Sequence, residues 1–181
     1  MSAQRTRPAR WGWHRLEPSA ARRVVAAAGV RPCDLVVDLG AGTGALTRAL
    51  VDAGASVIAV ERHPARADEL RRRFADDRVT VVETDLLSLR LPQRSFKVVA
   101  NPPWSMAEEV RASLLGSQCL VRADLVLPRW LVHRWADGYP AISIGGSIRA
   151  ESFTPHVRTG AAVAVIRPLR STRRQAHRQH R

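Results

Sequence analysis

A glycine-rich segment near residue 40 constrains the fold of this chain more than any other feature of its sequence. The segment Asp38–Gly44 (DLGAGTG) follows the apolar run Leu35–Leu39, which is typical of a short buried strand, and it opens a helical stretch. Glycines let a backbone turn sharply and approach a ligand, and a helix N-terminus offers free N–H groups. Strand, loop and helix in this order predict an α/β sheet that binds a nucleotide-like ligand at Gly40, Gly42 and Gly44.

Strand-like and helical stretches alternate along the rest of the chain. This alternation is typical of a parallel sheet covered by helices, and it predicts an α/β fold with a mostly parallel seven-stranded sheet and helices on both faces. The predicted strands cover residues 35–39, 57–60, 79–82, 96–100, 124–127, 141–148 and 161–166. The predicted helices cover residues 19–29, with Ser19 as the cap, 44–53, 64–74 and 106–115.

Positive charge is concentrated at the two ends of the chain. The 181 residues have a net charge of +13, of which residues 1–23 contribute six Arg against one Glu and residues 167–181 contribute six Arg and no acid. We expect a basic, aromatic N-terminal arm (1–18), a folded body (19–167) and a basic, disordered tail (168–181). Basic ends on a nearly neutral body favour a nucleic-acid partner, although two solvated ends have the same composition.

The remaining composition argues against several other classes of protein. Cys33 and Cys119 have no Cys or His at metal-ligand spacing, so neither a metal site nor a disulfide is predicted. The sequence contains no apolar run long enough for a membrane span or a signal peptide. We therefore expect a cytoplasmic protein without a membrane partner, and we expect it to be a monomer.

An acidic residue follows the glycine loop at a distance typical of nucleotide-binding folds. Glu61 ends the second predicted strand, 21 residues after Gly40, where a carboxylate reaches the two hydroxyls of a ribose. The same glycines also fit the looser dinucleotide fingerprint. NAD therefore stays an alternative at this point.

Two aspartates favour S-adenosylmethionine as the ligand. Asp85 follows the third predicted strand, where its carboxylate could accept a hydrogen bond from the exocyclic amine of the cofactor's adenine. A helix or turn cap is an equally good interpretation of Asp85. Asp38 could serve the amino-acid end of the cofactor, or it could orient the glycine loop.

The segment Asn101-Pro102-Pro103-Trp104 ends the fourth predicted strand, where open parallel sheets place their reacting groups. The side-chain carbonyl of Asn101 and the backbone carbonyl of Pro102 could hold the two hydrogens of an adenine amine and favour a pyramidal nitrogen. Trp104 offers a flat face on which an extruded base can stack. Taken alone, the segment could be a Pro-Pro turn with a packed Trp, but it follows the glycine loop by about 60 residues, which favours a catalytic role.

These segments, together with Phe153–Val163 (FTPHVRTGAAV), resemble in order and spacing the ribosomal RNA adenine N6-methyltransferases. The resemblance covers residues 11–167 and is greatest to the Erm proteins, which methylate 23S rRNA and give resistance to macrolide, lincosamide and streptogramin B antibiotics. The 16S dimethyladenosine transferases are the sister group. The resemblance implies a Rossmann-like methyltransferase fold with residues 19–167 as its catalytic domain, S-adenosylmethionine as cofactor and rRNA as partner.

The resemblance also adds site residues. Phe153 matches a family aromatic that is placed to help enclose the target base, with a buried core Phe as the alternative. A cofactor-binding stretch of the family, Gln-(Asn/His)-Phe-Leu, corresponds to residues 13–16, which gives His14 and Leu16 a cofactor role. The family's C-terminal helical domain has no counterpart in the sequence, so we expect the N-terminal arm and the tail to contact RNA in its place.

Two other functions remain open on the sequence. DNA adenine or cytosine N4-methyltransferases use the same tetrapeptide, although this chain has little room for a domain that reads DNA sequence. A non-catalytic rRNA-binding protein with a decayed methyltransferase fold is the second alternative. The glycines of the loop, Glu61 and Asn101 are all intact, which argues against decay.

Overall fold

The fold is that of an α/β domain, and the computed structural model describes residues 14–169. Three short 3-10 turns supplement the regular elements, at Leu86–Ser88, Trp104–Met106 and Ala150–Ser152. In chain order the helices and strands are β1 (Arg15–Leu16), α1 (Pro18–Ala27), β2 (Leu35–Leu39), α2 (Ala45–Asp52), β3 (Ser56–Glu61), α3 (Pro64–Arg73), β4 (Val79–Glu83), β5 (Phe96–Ala100), α4 (Ala107–Gly116), β6 (Leu120–Pro128), α5 (Arg129–Gly138), β7 (Ile142–Ile148), β8 (Phe153–Thr154) and β9 (Ala161–Ile166).

Seven strands form one sheet in the order β4-β3-β2-β5-β6-β9-β7. Strands β2 to β6 pair in parallel, and β9 is antiparallel to both of its neighbours, β6 and β7. The chain moves from β2 outward through β3 and β4 and then returns to β5 on the other side of β2. In open parallel sheets this reversal creates a crevice at the carboxyl ends of the central strands.

Helices cover both faces of the sheet, so the predicted fold class is confirmed. On one face, α1 and α2 bury Val25 and Leu50 against the sheet, and α3 buries Leu70 there. On the opposite face, α4 and α5 bury Leu114 and Trp135. The apolar strands are therefore enclosed between two helical layers, which explains why they lack the alternation of a half-exposed strand.

Two helices differ from the prediction. Helix α1 begins at Pro18 with Glu17 at the N-cap position and no side-chain cap, so the predicted capping role of Ser19 is wrong. A proline at the first turn has a suitable φ and needs no partner for its missing N–H. Helix α5 was not predicted, because the Arg, Trp and His residues of 129–138 mask the apolar spacing of its buried face.

A small second sheet connects distant parts of the chain at one end of the main sheet. Strand β1 pairs antiparallel with β8, with Leu16 opposite Phe153, and this pair was not predicted because two-residue strands have no detectable periodicity. The pairing places His14 and Arg15 beside the carboxyl ends of β2 and β5. Within residues 14–169, no helix is long and apolar enough to cross a membrane.

Candidate active site

The glycine loop is fixed by its own backbone. Gly40, Gly42 and Gly44 have φ angles of 76°, 60° and 83°, a region that side chains other than hydrogen disfavour. The N–H groups of Gly40 and Ala41 both donate to the carbonyl of Val60, at 2.9 Å each. The loop is therefore held against the end of β3.

Gly40 and Gly44 need the absence of a side chain for different reasons. A Cβ atom on Gly40 would lie 3.1 Å from Cδ of Pro103, so the loop closely approaches the tetrapeptide. A Cβ atom on Gly44 would lie 2.7 Å from Cε2 of Phe74, in the core beneath α3. The predicted cofactor role of Gly44 therefore stays a prediction, while its packing role is a structural fact.

Asp38 is a buried carboxyl group with an unsatisfied oxygen. It is 1% exposed, and its Oδ2 accepts a hydrogen bond from Thr47 Oγ1 at 2.7 Å. Its Oδ1 has no hydrogen-bond partner among the described residues. Burial raises the pKa of Asp38 from 3.8 to about 7. A buried acceptor of this kind fits a cationic ligand group, because a cation would restore the charged form.

One cavity brings together five of the twelve predicted cofactor and catalytic residues. The glycine loop and Asp38 form one wall, and the N-terminal segment forms another. Asn101 lies at the same cavity, so the tetrapeptide and the loop share one space. The predicted site residues that line this cavity are His14, Leu16, Asp38, Gly40 and Asn101.

Glu61 supports the glycine loop from the end of β3. It is 3% exposed, and its Oε2 accepts from the Gly42 N–H at 2.9 Å. Its Oε1 accepts from the His63 N–H and from Arg66 Nη2, both at 2.8 Å. The sequence did not suggest these partners, because a helix that starts three residues later gives no signal of what its first turn contacts. The ribose contact of Glu61 stays a prediction.

Asp85 caps a turn in this structure. Its Oδ1 accepts from the Leu87 N–H at 3.0 Å, at the start of the 3-10 turn, and its Oδ2 pairs with Arg62 Nη1 at 3.0 Å. The cap is the alternative that the sequence left open. The predicted contact between Asp85 and the adenine amine stays a prediction.

Asn101 is anchored by the N-terminal segment. Its Nδ2 donates to the backbone carbonyl of His14 at 2.7 Å. A carbonyl only accepts, so the nitrogen of the amide must face His14, and Oδ1 is the amide's remaining acceptor. This contact, which connects residues 87 positions apart, was not predicted.

Trp104 lies between two other aromatic rings. Its centroid is 5.5 Å from that of His14 and 6.0 Å from that of Phe153, which meets it edge-on at 80°. Phe153 is fully buried in the core, which is the alternative that the sequence left open, and its contact with the target base stays a prediction. The pairing of β8 with β1 places Phe153 against the ring of Trp104.

Some predictions fall outside residues 14–169, including the aromatic part of the N-terminal arm with Trp11 and Trp13 and the tail beyond Leu169. Within the described part of the chain, no group of three His, Cys, Asp or Glu residues could hold a metal ion.

The fold belongs to a known class, that of the Rossmann-like methyltransferases. The structure superposes on the crystal structure of the 23S rRNA methyltransferase ErmE with a TM-score of 0.77 at 22% identity, over 83% of this chain and 68% of that one. A dimethyladenosine transferase from Plasmodium falciparum gives a TM-score of 0.76 at 20% identity, over 86% and 64% of the two chains. The family model for ribosomal RNA adenine dimethylase matches residues 16–144, and the chain belongs to this family.

Relatives of the chain carry one shared name, ribosomal RNA small subunit methyltransferase A. The protein from Thermosynechococcus vestitus is 42% identical over 110 residues, which cover 60% of this chain and 42% of the relative. The one from Mycobacterium tuberculosis is 43% identical over 120 residues, covering 61% and 38%. The one from Nocardia farcinica is 36% identical over 156 residues, covering 80% and 53%. The chain thus spans about half the length of these relatives, or less.

Proposed function

We propose that this chain transfers methyl groups from S-adenosylmethionine to the N6 amine of an adenine in ribosomal RNA. One observation supports this most: the glycine loop, the unsatisfied oxygen of Asp38 and the anchored amide of Asn101 share a single cavity. A cofactor bound in this cavity would lie directly beside a group able to hold an amine.

The described residues fit the cofactor. Asp38 Oδ1 would accept from the ammonium group of the methionine part, and the backbone of Gly40 lines the same cavity. Glu61 would hold the ribose, and Asp85 the adenine amine, each after exchanging a present hydrogen-bond partner. When bound, S-adenosylmethionine supplies an electrophilic methyl group on a sulfonium.

The tetrapeptide would prepare the adenine. Asn101 Oδ1 and the Pro102 carbonyl would accept the two amine hydrogens, which directs the nitrogen lone pair away from the ring system. The two prolines fix this geometry before substrate arrives. Trp104, held by its hydrogen bond to the Val126 carbonyl at 3.3 Å and by the edge of Phe153, would stack on the base.

Small-subunit rRNA is the substrate that the relatives favour. Their shared name points to the 16S rRNA of the small subunit, and the family description implies transfer of two methyl groups. The resemblance to Erm proteins instead suggests 23S rRNA and antibiotic resistance. The likeness to ErmE at 22% identity concerns the fold, so it does not favour 23S rRNA over 16S rRNA.

A substrate comparison tests the proposal. The purified chain would be incubated with labelled S-adenosylmethionine and, separately, with 16S rRNA, 23S rRNA, small ribosomal subunits and duplex DNA. We expect label in adenines of the small-subunit RNA. Label in 23S rRNA alone would support the Erm-like alternative, and label in DNA alone would contradict the rRNA assignment.

A further inference from the structure

An exposed tryptophan lies beside the candidate active site and contributes nothing to the core. Trp130, in the first turn of α5, is 60% exposed, and the guanidinium of Arg134 lies 5.4 Å from its ring centroid. The buried face of α5 is formed by Leu131, Val132 and Trp135. Packing of the helix therefore does not explain Trp130.

Trp130 and Arg134 line a cavity of about 390 Å³ that also touches the tetrapeptide. Trp104 forms part of its wall, together with Pro128 and Thr159. This volume lies within the range of small-ligand sites. Trp104 also contacts His14, which lines the predicted cofactor cavity, so the two cavities have walls in contact with each other.

The charge around this cavity suits a polyanion. Glu108 is the one acidic side chain among the described residues that line it, and its carboxylate is held by Arg134, by Arg111 at 3.0 Å and by the Trp135 indole N–H at 3.1 Å. Two arginines therefore compensate one carboxylate. Arg129, exposed at the start of α5, adds a further positive charge nearby.

We propose that Trp130 and Arg134 bind an unpaired nucleotide next to the target adenine, with its base on the indole ring and its phosphate at the guanidinium. The inference rests on the proposed function, since it places this nucleotide in the cavity that Trp104 also lines. A flat aromatic ring with an adjacent cation is how single-stranded nucleic acid is commonly held. Holding a neighbouring nucleotide would help to keep the target base extruded.

Three variants test this base-stacking site. Trp130→Ala should weaken binding of a fluorescent single-stranded oligoadenylate by roughly 5- to 150-fold, the range expected for loss of one stacked base. Trp130→Phe should retain most of the affinity, because it restores an aromatic plane. Tyr139→Ala is the matched control, since Tyr139 is an exposed aromatic at the far end of α5 with Arg111 stacked on it at 4.1 Å, and it should bind like wild type.

A second arm locates the base. Two substrate RNAs would each carry one abasic nucleotide, on the 5′ or the 3′ side of the target adenine. One of the two should bind wild type more weakly than the intact RNA does, and Trp130→Ala should cause no further loss of affinity for that RNA.

Equal binding by wild type and Trp130→Ala, or no binding by wild type, would overturn the inference. A change in self-association with unchanged RNA binding would overturn it too, in favour of a protein contact. If Trp130→Ala weakens RNA binding while wild type methylates no rRNA, the proposed function fails and base stacking by Trp130 stands.

Discussion

At the scale of single residues, Asp38 has an environment that the stability of the core does not explain. A carboxyl group that is buried with one oxygen unsatisfied costs stability unless it is protonated or meets a cation. Thr47 satisfies the other oxygen, so the fold orients the group without neutralising it. Such a group is better explained by a ligand than by packing.

Asp38→Asn should remove a pH-dependent loss of stability. Burial raises the pKa of Asp38 from 3.8 to about 7, so between these values the folded state binds more protons than the unfolded state. The free energy of unfolding therefore falls as pH rises through this window, on the order of 4 kcal/mol in total. Urea unfolding should be measured from about pH 4 to about pH 8 for both proteins. The free energy of unfolding of wild type should fall relative to that of Asp38→Asn as pH rises, and the difference should become constant above the pKa of about 7. A constant difference would mean that Asp38 ionises normally.

Glu61→Ala should weaken both cofactor binding and the fold. Loss of the acceptor for the Gly42 and His63 N–H groups should lower the free energy of unfolding by about 1–3 kcal/mol. Loss of charge-assisted bonds to the ribose should lower affinity for S-adenosylmethionine roughly tenfold or more. Calorimetry and urea unfolding measure the two effects, with Glu61→Gln as the milder variant. Unchanged cofactor affinity would reduce Glu61 to a structural role and reopen NAD as the ligand.

The sequence predicted which residues meet at the cavity better than it predicted their hydrogen-bond partners. Asp38, Gly40 and Asn101 were expected at strand ends of a parallel sheet, and such ends meet at one edge. The contact of Asn101 with His14 depends on the two-residue pairing of β1 with β8, which has no local sequence signal. The burial of Phe153 follows from the same pairing, so the sequence could not decide between a core role and a base-contacting role.

At the scale of structural elements, the glycine loop and the tetrapeptide form one unit. They follow the ends of β2 and β5, which are adjacent strands. A small backbone displacement in one element should therefore displace the other. The space between Gly40 and Pro103 leaves no room for an extra methyl group without displacement.

Gly40→Ala should therefore reduce methyl transfer more than it reduces stability. Its φ of 76° makes alanine unfavourable by about 1–2 kcal/mol, and the new methyl group would push on Pro103. We expect turnover to fall on the order of tenfold or more, because small misplacements of reacting groups are costly. Gly29→Ala is the matched control: its φ is 63°, but no atom lies within 4 Å of its added Cβ. It should lose similar stability and keep its turnover. Equal turnover in both variants would contradict coupling of the two elements.

Elements that carry strong local signals were predicted, and those that depend on tertiary contacts were not. Strands β2 and β5 are apolar apart from one charged residue each, Asp38 and Lys97, and both appear with the predicted bounds. In α5 four polar residues are interspersed among the apolar ones, and its buried face is defined only by its packing against β7 and β9.

At the scale of the whole molecule, charge is distributed unevenly, and most of the excess lies at the ends of the chain. We propose that the tail, residues 168–181, adds RNA affinity without adding sequence choice. Its five arginines beyond Leu169 have no acidic neighbours in the sequence. Each phosphate contact should add about 0.7 to the salt slope for single-stranded RNA.

Removal of residues 170–181 should therefore flatten the dependence of RNA affinity on salt and leave the modified adenine unchanged. Fluorescence anisotropy across a salt series measures the slope, and mass spectrometry of the methylated RNA gives the position. A variant in which these arginines are replaced by glutamine controls for chain length. An unchanged slope in both variants would show that the tail makes no phosphate contacts.

The most direct test of the account measures chemistry and binding separately in Asn101→Ala, beside Trp104→Ala and Trp104→Phe. If Asn101 orients the amine as methyl transfer proceeds, Asn101→Ala should lower turnover on rRNA by roughly two orders of magnitude or more. Its affinities for cofactor and RNA should change little. Trp104→Ala should lose RNA affinity, and Trp104→Phe should keep most activity. Nucleoside mass spectrometry should find N6-methylated adenosine with wild type and almost none with Asn101→Ala. N6-methylation by Asn101→Ala at the wild-type rate would contradict the account.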